Sequence, residues 1–188
     1  MNSVVSERLN FYGNLTDKNT YHTYGKVYDE LMHDKLDDKL RIMEIGVDAF
    51  GSIMAWSDCF PEAEIVGIDI NLGYEQTIEG RYCRKQENIT LIEADATDID
   101  LKVKGKFDFI IDDGSHKIED VEKSFVKFFP QLKKGGYYII EDVQDHRQWM
   151  PIIQGAIQNE LKGRGEFENK ILDVNRVFDD IIYLIKKL

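Results

Sequence analysis

At 188 residues the chain is long enough for one domain with a real core and too short for two comfortable ones. Its 43% hydrophobic and 31% charged residues suit a globular enzyme, and three prolines without a low-complexity tract leave no linker to divide it. A net charge of −11, spread along the whole chain, repels phosphate backbones and anionic membrane surfaces, which argues against nucleic acid and membranes as partners. Cys59 and Cys83 lack CxxC spacing and follow no apolar leader, and no apolar run reaches membrane-spanning length. The expectation is a cytoplasmic chain whose two cysteines are small buried residues or free thiols.

In chain order, Tyr24, Val27, Tyr28 and Leu31 recur at helical spacing and predict an amphipathic helix over 21–36. Leu40 to Ile45 reads as a strand closed by Gly46. Phe50-Gly51-Ser52 opens a second helix with Ile53, Trp56 and Phe60 on one face and Pro61 beyond its end. Strands are expected at 64–70, 90–95 and 107–112, the last apolar enough to be covered on both faces. Ile118, Val121, Phe125, Phe128 and Leu132 mark a long helix, followed by a Lys133–Gly136 turn and a strand at 137–141. The rest predicts a helix over 149–161, a Gly163-Arg164-Gly165 turn, and an antiparallel pair formed by 171–174 and 181–185. Alternating strands and helices predict a doubly wound α/β sheet, mostly parallel with an antiparallel C-terminal strand, and ligands beyond the strands' carboxyl ends.

Acidic residues occupy those ends. The first strand runs into Gly46 and Asp48, and the second ends at Asp69, about where an acid holds ribose hydroxyls of a bound nucleoside. The turn lacks the middle glycine of GxGxxG, and Asp48 stands where a pyrophosphate would approach. An anion there repels another anion, whereas S-adenosyl-L-methionine (SAM) carries a positive sulfonium and no phosphate. Asp95-Ala96 ends the third strand, where Asp95 serves either an adenine amino group or a helix N-cap. Strand four finishes Asp112-Asp113-Gly114-Ser115-His116 and strand five Glu141-Asp142. If these strands are neighbours, up to four carboxylates converge, and a divalent cation relieves their repulsion; oxygen ligands favour Mg2+, Mn2+ or Ca2+ over zinc. His116, three residues past Asp113, is placed to take a proton from a substrate hydroxyl, or else to cap a helix or orient the metal. His33 is expected to face solvent, and His22 and His146 to border the cleft.

These residues carry a resemblance. Thr16-Asp17-Lys18, His22-Thr23-Tyr24, Tyr28-Asp29, Glu44-Ile45-Gly46-Val47, Gly67-Ile68-Asp69, Ile111 to His116, Gly135-Gly136 and Ile140-Glu141-Asp142 occur in one order. Together they resemble the macrolide sugar O-methyltransferases, typified by the mycinamicin and macrocin enzymes, and are similar to the cephalosporin hydroxylase group. The resemblance covers roughly residues 14–145. It implies a Rossmann-like core, SAM as donor and an essential Mg2+ held by Asp113, Glu141 and Asp142, with His116 as base and Asp113 sharing in catalysis. It also implies that Glu44, Gly46, Asp69 and Asp112 fall in the cofactor cleft, that Asp95 and Ala96 lie beside the adenine, and that Lys18 and Tyr24 close over the methionine end. The first turn is less glycine-rich than the family's, and the segment after Asp145 matches nothing assignable.

The resulting expectation is one domain: an N-terminal helical segment over 1–38 covering the cleft, and a methyltransferase fold over 39–188. The reaction would be methyl transfer to a sugar hydroxyl, on a rhamnose-like deoxysugar of a glycan or natural product, with self-association into a homo-oligomer left open. Two rivals remain from the sequence: a metal-dependent enzyme of catechol-like phenols, whose Asp/Asp/Asn metal set the Glu141-Asp142 doublet does not match, and a catalytically silent SAM-binding partner of a glycosyltransferase.

Overall fold

The computed structural model describes residues 4–160, 166–174 and 180–188. Among these residues seven strands form one sheet: β1 (Arg41–Ile45), β2 (Glu64–Asp69), β3 (Ile89–Glu93), β4 (Phe107–Asp112), β5 (Leu132–Ile140), β6 (Phe167–Asp173) and β7 (Ile181–Lys187). Their order is β3-β2-β1-β4-β5-β7-β6, with β7 antiparallel to both of its neighbours and the other pairs parallel. The order reverses between β1 and β4, so the chain leaves these two strands in opposite directions and a crevice opens beyond their carboxyl ends.

Alternation along the strands divides the core. Ile42, Ile65, Phe109, Ile111 and Ile139 face helices α1 (Val4–Phe11), α2 (Gly25–Met32) and α3 (Gly51–Cys59). Met43, Val66, Ile68, Ile110, Tyr138 and Ile140 face α4's opposite layer, formed by α5 (Ile118–Phe128) and α6 (His146–Glu160); α4 itself is the short helix Ile78–Cys83. Both faces of the central strands are therefore covered, as their near-continuous apolar runs require.

Several elements differ from the sequence reading. The first predicted helix is shorter, Gly25–Met32, because the Asn19 side chain accepts from Gly25 N and residues 14–24 are turns that serve the cleft. Helix α1 was not foreseen: it buries only Val5 and Leu9, too few positions to print a period. Helix α4, capped by Thr77 Oγ1 accepting from Gly80 N at 3.0 Å, buries only Gly80 and Cys83. Helix α5 stops at Phe128 rather than Leu132, where a 3-10 turn over Phe129–Gln131 contains Pro130, which lacks an N–H. The glycines expected as its terminal turn lie inside β5. Leu132 pairs with Phe107 and pairing resumes at Tyr137 opposite Phe109, so residues 133–136 form a bulge. Helix α6 begins at His146, with Asp145 Oδ1 accepting from Arg147 N and Gln148 N. The predicted C-terminal antiparallel pair is present as β6 and β7, whereas the Gly163–Gly165 turn lies outside the described residues. Among the described residues no helix is long and apolar enough to cross a membrane.

Candidate active site

Gly46 follows β1 at φ +81°, and a Cβ there would stand 2.0 Å from the Asp113 carbonyl oxygen. Only glycine lets the loops after β1 and β4 approach this closely. Asp69, at the end of β2, fixes the same turn: its Oδ2 accepts from Val47 N at 2.8 Å and Asp48 N at 3.3 Å, and its Oδ1 accepts from Asn71 N. Among the described residues, four non-glycine residues have positive φ, namely Asp48, Phe50, His116 and Asp142, and all follow the carboxyl ends of β1, β4 or β5. Backbone strain is thus gathered at one end of the sheet, as it is at functional sites.

Beyond these ends lies a cleft of about 1040 Å³. Of the residues expected around a cofactor, Gly46, Asp69, Asp95, Ala96 and Asp112 line it, together with Asp48, Asn14, Thr16 and Asp17. Asp95 is exposed, and its Oδ1 accepts from both Thr97 N and Thr97 Oγ1, which holds its carboxyl below the usual range. Asp112 is buried, accepting from Ser124 Oγ at 2.5 Å and Tyr138 OH at 3.0 Å; burial nonetheless pushes its carboxyl up to about 6.

Lys18, Tyr24 and Glu44 stand elsewhere than the resemblance implied. They are buried behind the cleft wall and do not line it. Glu44 accepts from Ser52 Oγ at 2.8 Å and Trp56 Nε1 at 2.6 Å. Lys18 Nζ is 3.2 Å from Glu44 Oε1 and in direct contact with Asp113 Oδ2 and Glu141 Oε2. The reason is charge: a buried ammonium needs anions around it, and the strand ends provide three. Burial alone would lower the Lys18 pKa, but Asp113, Glu141 and Glu44 together raise it well above its ordinary value. Tyr28 OH donates to Glu141 Oε1, and Tyr24 OH donates to Asp142 Oδ1 at 2.5 Å. Burial raises the pKa of Glu141 and Asp142, Asp113 adding repulsion to both.

The outer half of this cluster opens into the cleft. Asp113, His116 and Asp142 each place a ligand atom within 4.8 Å of the other two, and all three line the cleft. The two carboxylates fit a divalent cation of the Mg2+ or Mn2+ type, and the imidazole stands beside them. Glu141, the third expected ligand, sits deeper, its two oxygens taken by Lys18 and Tyr28. His22 is buried between Asp180, 3.3 Å from its Nδ1, and Asp142, 3.5 Å from its Nε2, and stacks on Tyr24. His33 is exposed, and His146 begins α6 away from the cleft lining. Sequence reasoning missed Ser124 and read Trp56 only as one of a helix face's apolar residues, not as a donor to Glu44. Ser124 is a polar residue among the apolar positions of α5, a signal that could have found it.

A family model described as a methyltransferase domain matches residues 36–178. The chain belongs to that family. Among curated relatives of this methyltransferase domain, the mycinamicin VI 2''-O-methyltransferase of Micromonospora griseorubida is 32% identical over 130 residues, covering 65% of this chain and 32% of that protein. The 8-demethyl-8-alpha-L-rhamnosyl tetracenomycin-C 2'-O-methyltransferase of Streptomyces olivaceus is 28% identical over 170 residues, covering 84% of this chain and 42% of that one. The chain thus spans less than half the length of these relatives. A solved structure of the MycE methyltransferase in complex with Mg, SAH and mycinamycin VI superposes with a TM-score of 0.72 at 25% identity, covering 97% of this chain and 54% of that one.

Proposed function

We propose that this methyltransferase domain transfers the methyl group of SAM to a hydroxyl of a sugar on a small molecule or glycan, with a divalent cation required. The observation that carries this reading is the convergence of Asp113, His116 and Asp142 at the edge of a cleft that the Gly46–Asp69 turn also lines. Similarity to a relative named as an 8-demethyl-8-alpha-L-rhamnosyl tetracenomycin-C 2'-O-methyltransferase supports the acceptor class. The acidic character of Asp48 in the cleft supports SAM over a dinucleotide, because a pyrophosphate would be repelled there. A cytoplasmic site of action goes with this reading, since SAM is a soluble donor used inside cells.

Asp113 and Asp142 would hold the cation, with Glu141 as the deeper oxygen donor. When bound, the cation lowers the pKa of an acceptor hydroxyl and orients it beside its neighbour. The chain's own residues do the rest. His116 faces the same space and accepts the hydroxyl proton as that oxygen attacks the methyl carbon, the methyl–sulfur bond breaking and its electron pair leaving with the sulfur of S-adenosylhomocysteine. Asp142, 3.8 Å from His116 Nε2, stabilises the imidazolium that results. The Gly46 turn and Asp69 hold the donor's end of the cleft, so most of the catalysis is positioning.

Two measurements test this. Calorimetry should show binding of S-adenosylhomocysteine and none of NAD; comparable NAD binding would overturn the choice of donor. Incubation with SAM, Mg2+ and a panel of deoxysugar glycosides and catechols should give a single methyl addition to a glycoside by mass, and addition only to catechols would overturn the acceptor class.

A further inference from the structure

The acidic cluster holds more than a divalent cation's ligands: it already contains a cation that belongs to the chain. Lys18 is 1% exposed and reaches two kinds of acid at once. Glu44 and Glu141 are sealed from the cleft, whereas Asp113 opens into it. The segment carrying Lys18 is anchored without it, by Tyr24 on Asp142, Tyr28 on Glu141 and Asn19 on Gly25. The loop at Leu15 also packs tightly over Gly51, where a Cβ would meet the Leu15 backbone at 2.6 Å. An anchor is therefore not what the ammonium adds. What it adds is positive charge, placed on the same Asp113 carboxylate that the metal reading assigns to the ion.

We propose that Lys18 is an internal counter-ion that competes with the divalent cation for Asp113 and Glu141 and thereby sets how tightly the site holds it. The inference rests on the metal-dependent reading above and goes beyond it by giving Lys18 a task. Two cations sharing carboxylates repel each other, and in a partly buried site that repulsion is weakly screened. Glu141 can offer an oxygen to the ion only by sharing or surrendering its contact with Lys18. In the absence of the ion, the ammonium holds together acids that would otherwise drive the strand ends apart. The site would then bind its cation weakly enough to exchange, without collapsing when empty. Lys18 acts through the carboxylates and is a positioning residue in this account.

The test is calorimetric titration of the intact chain with Mn2+, for wild type, Lys18→Arg, Lys18→Met and the pair Lys18→Met/Glu44→Gln. The pair removes one buried acid along with the base, so it stays charge-balanced where Lys18→Met alone leaves Glu44 and Glu141 without their cation; near-ultraviolet circular dichroism reports folding. Lys18→Met and the charge-balanced pair should bind Mn2+ about tenfold or more tightly than wild type, the size expected for coupling between neighbouring ions. Lys18→Arg, which keeps the charge, should remain within about threefold of wild type. One Mn2+ per wild-type chain with equal or weaker binding in the folded Met variants would overturn the role of Lys18 and leave the metal reading standing. A wild type that binds S-adenosylhomocysteine but takes up no Mn2+ would overturn both.

Discussion

Gly46 and His116 show two ways in which one residue governs the cleft. At Gly46 any side chain meets the Asp113 backbone, and the φ of +81° is itself costly for other residues by about 1–3 kcal/mol. Gly46→Ala should therefore lower the melting temperature by roughly 4–10 °C, measured by scanning calorimetry. An unchanged melting temperature would mean that the loops after β1 and β4 are not in this contact. His116 is a matter of chemistry, not folding. Its side chain is a third exposed and anchors no core contact. His116→Ala should reduce turnover by about a hundredfold or more while affinity for S-adenosylhomocysteine barely moves. A nearly unchanged rate would make His116 an orienting group and move the proton to water. The residues facing the cleft were readable because an acid ending an apolar strand has no packing reason to be there; Asp69, Asp113 and Asp142 all announced themselves that way. Lys18, Tyr24 and Tyr28 were named, but their contacts with Asp113, Glu141 and Asp142 lie 95 to 123 residues away and leave no local trace.

Helix α3 is joined to β1 by more than apolar contact. Glu44 faces the helix from the middle of the strand's buried side and accepts from both Ser52 and Trp56. Trp56→Phe preserves most of the volume but leaves the Glu44 oxygen short of a donor, at a cost of about 1–3 kcal/mol. Its melting temperature should fall by roughly 2–10 °C, and a variant as stable as wild type would show that Glu44 finds its partners elsewhere. The strands were the readable part of the fold, because β1, β2, β4 and β5 are buried on both faces and print continuous apolar runs. The unread elements, α1 and α4, are short and bury two residues each, so packing rather than pattern decides them. Helix α5 was read too long because Leu132 continues its apolar spacing, although Pro130 ends the helical hydrogen bonding and Leu132 pairs with β4 instead.

Packing of the whole molecule can be tested at its two thiols. Cys59 and Cys83 lie in the layer formed by α1, α3 and α4, and burial pushes both thiols up to about 12. At pH 8 almost no thiolate exists at either, so Ellman's reagent should react slowly with the native chain and promptly with both thiols in guanidinium. Prompt reaction of the native chain would mean that this layer is looser than described.

In the proposed function, one metal-assisted methyl transfer joins the strand-end acids, the cleft and the donor. Its most direct test follows label from methyl-labelled SAM into a deoxysugar glycoside, first with Mg2+, then with EDTA, then with Mg2+ restored in excess. Transfer should proceed with Mg2+, stop with EDTA and return with the ion. Transfer at full rate in EDTA would contradict the account, because Asp113, His116 and Asp142 would then have been brought together for some other purpose.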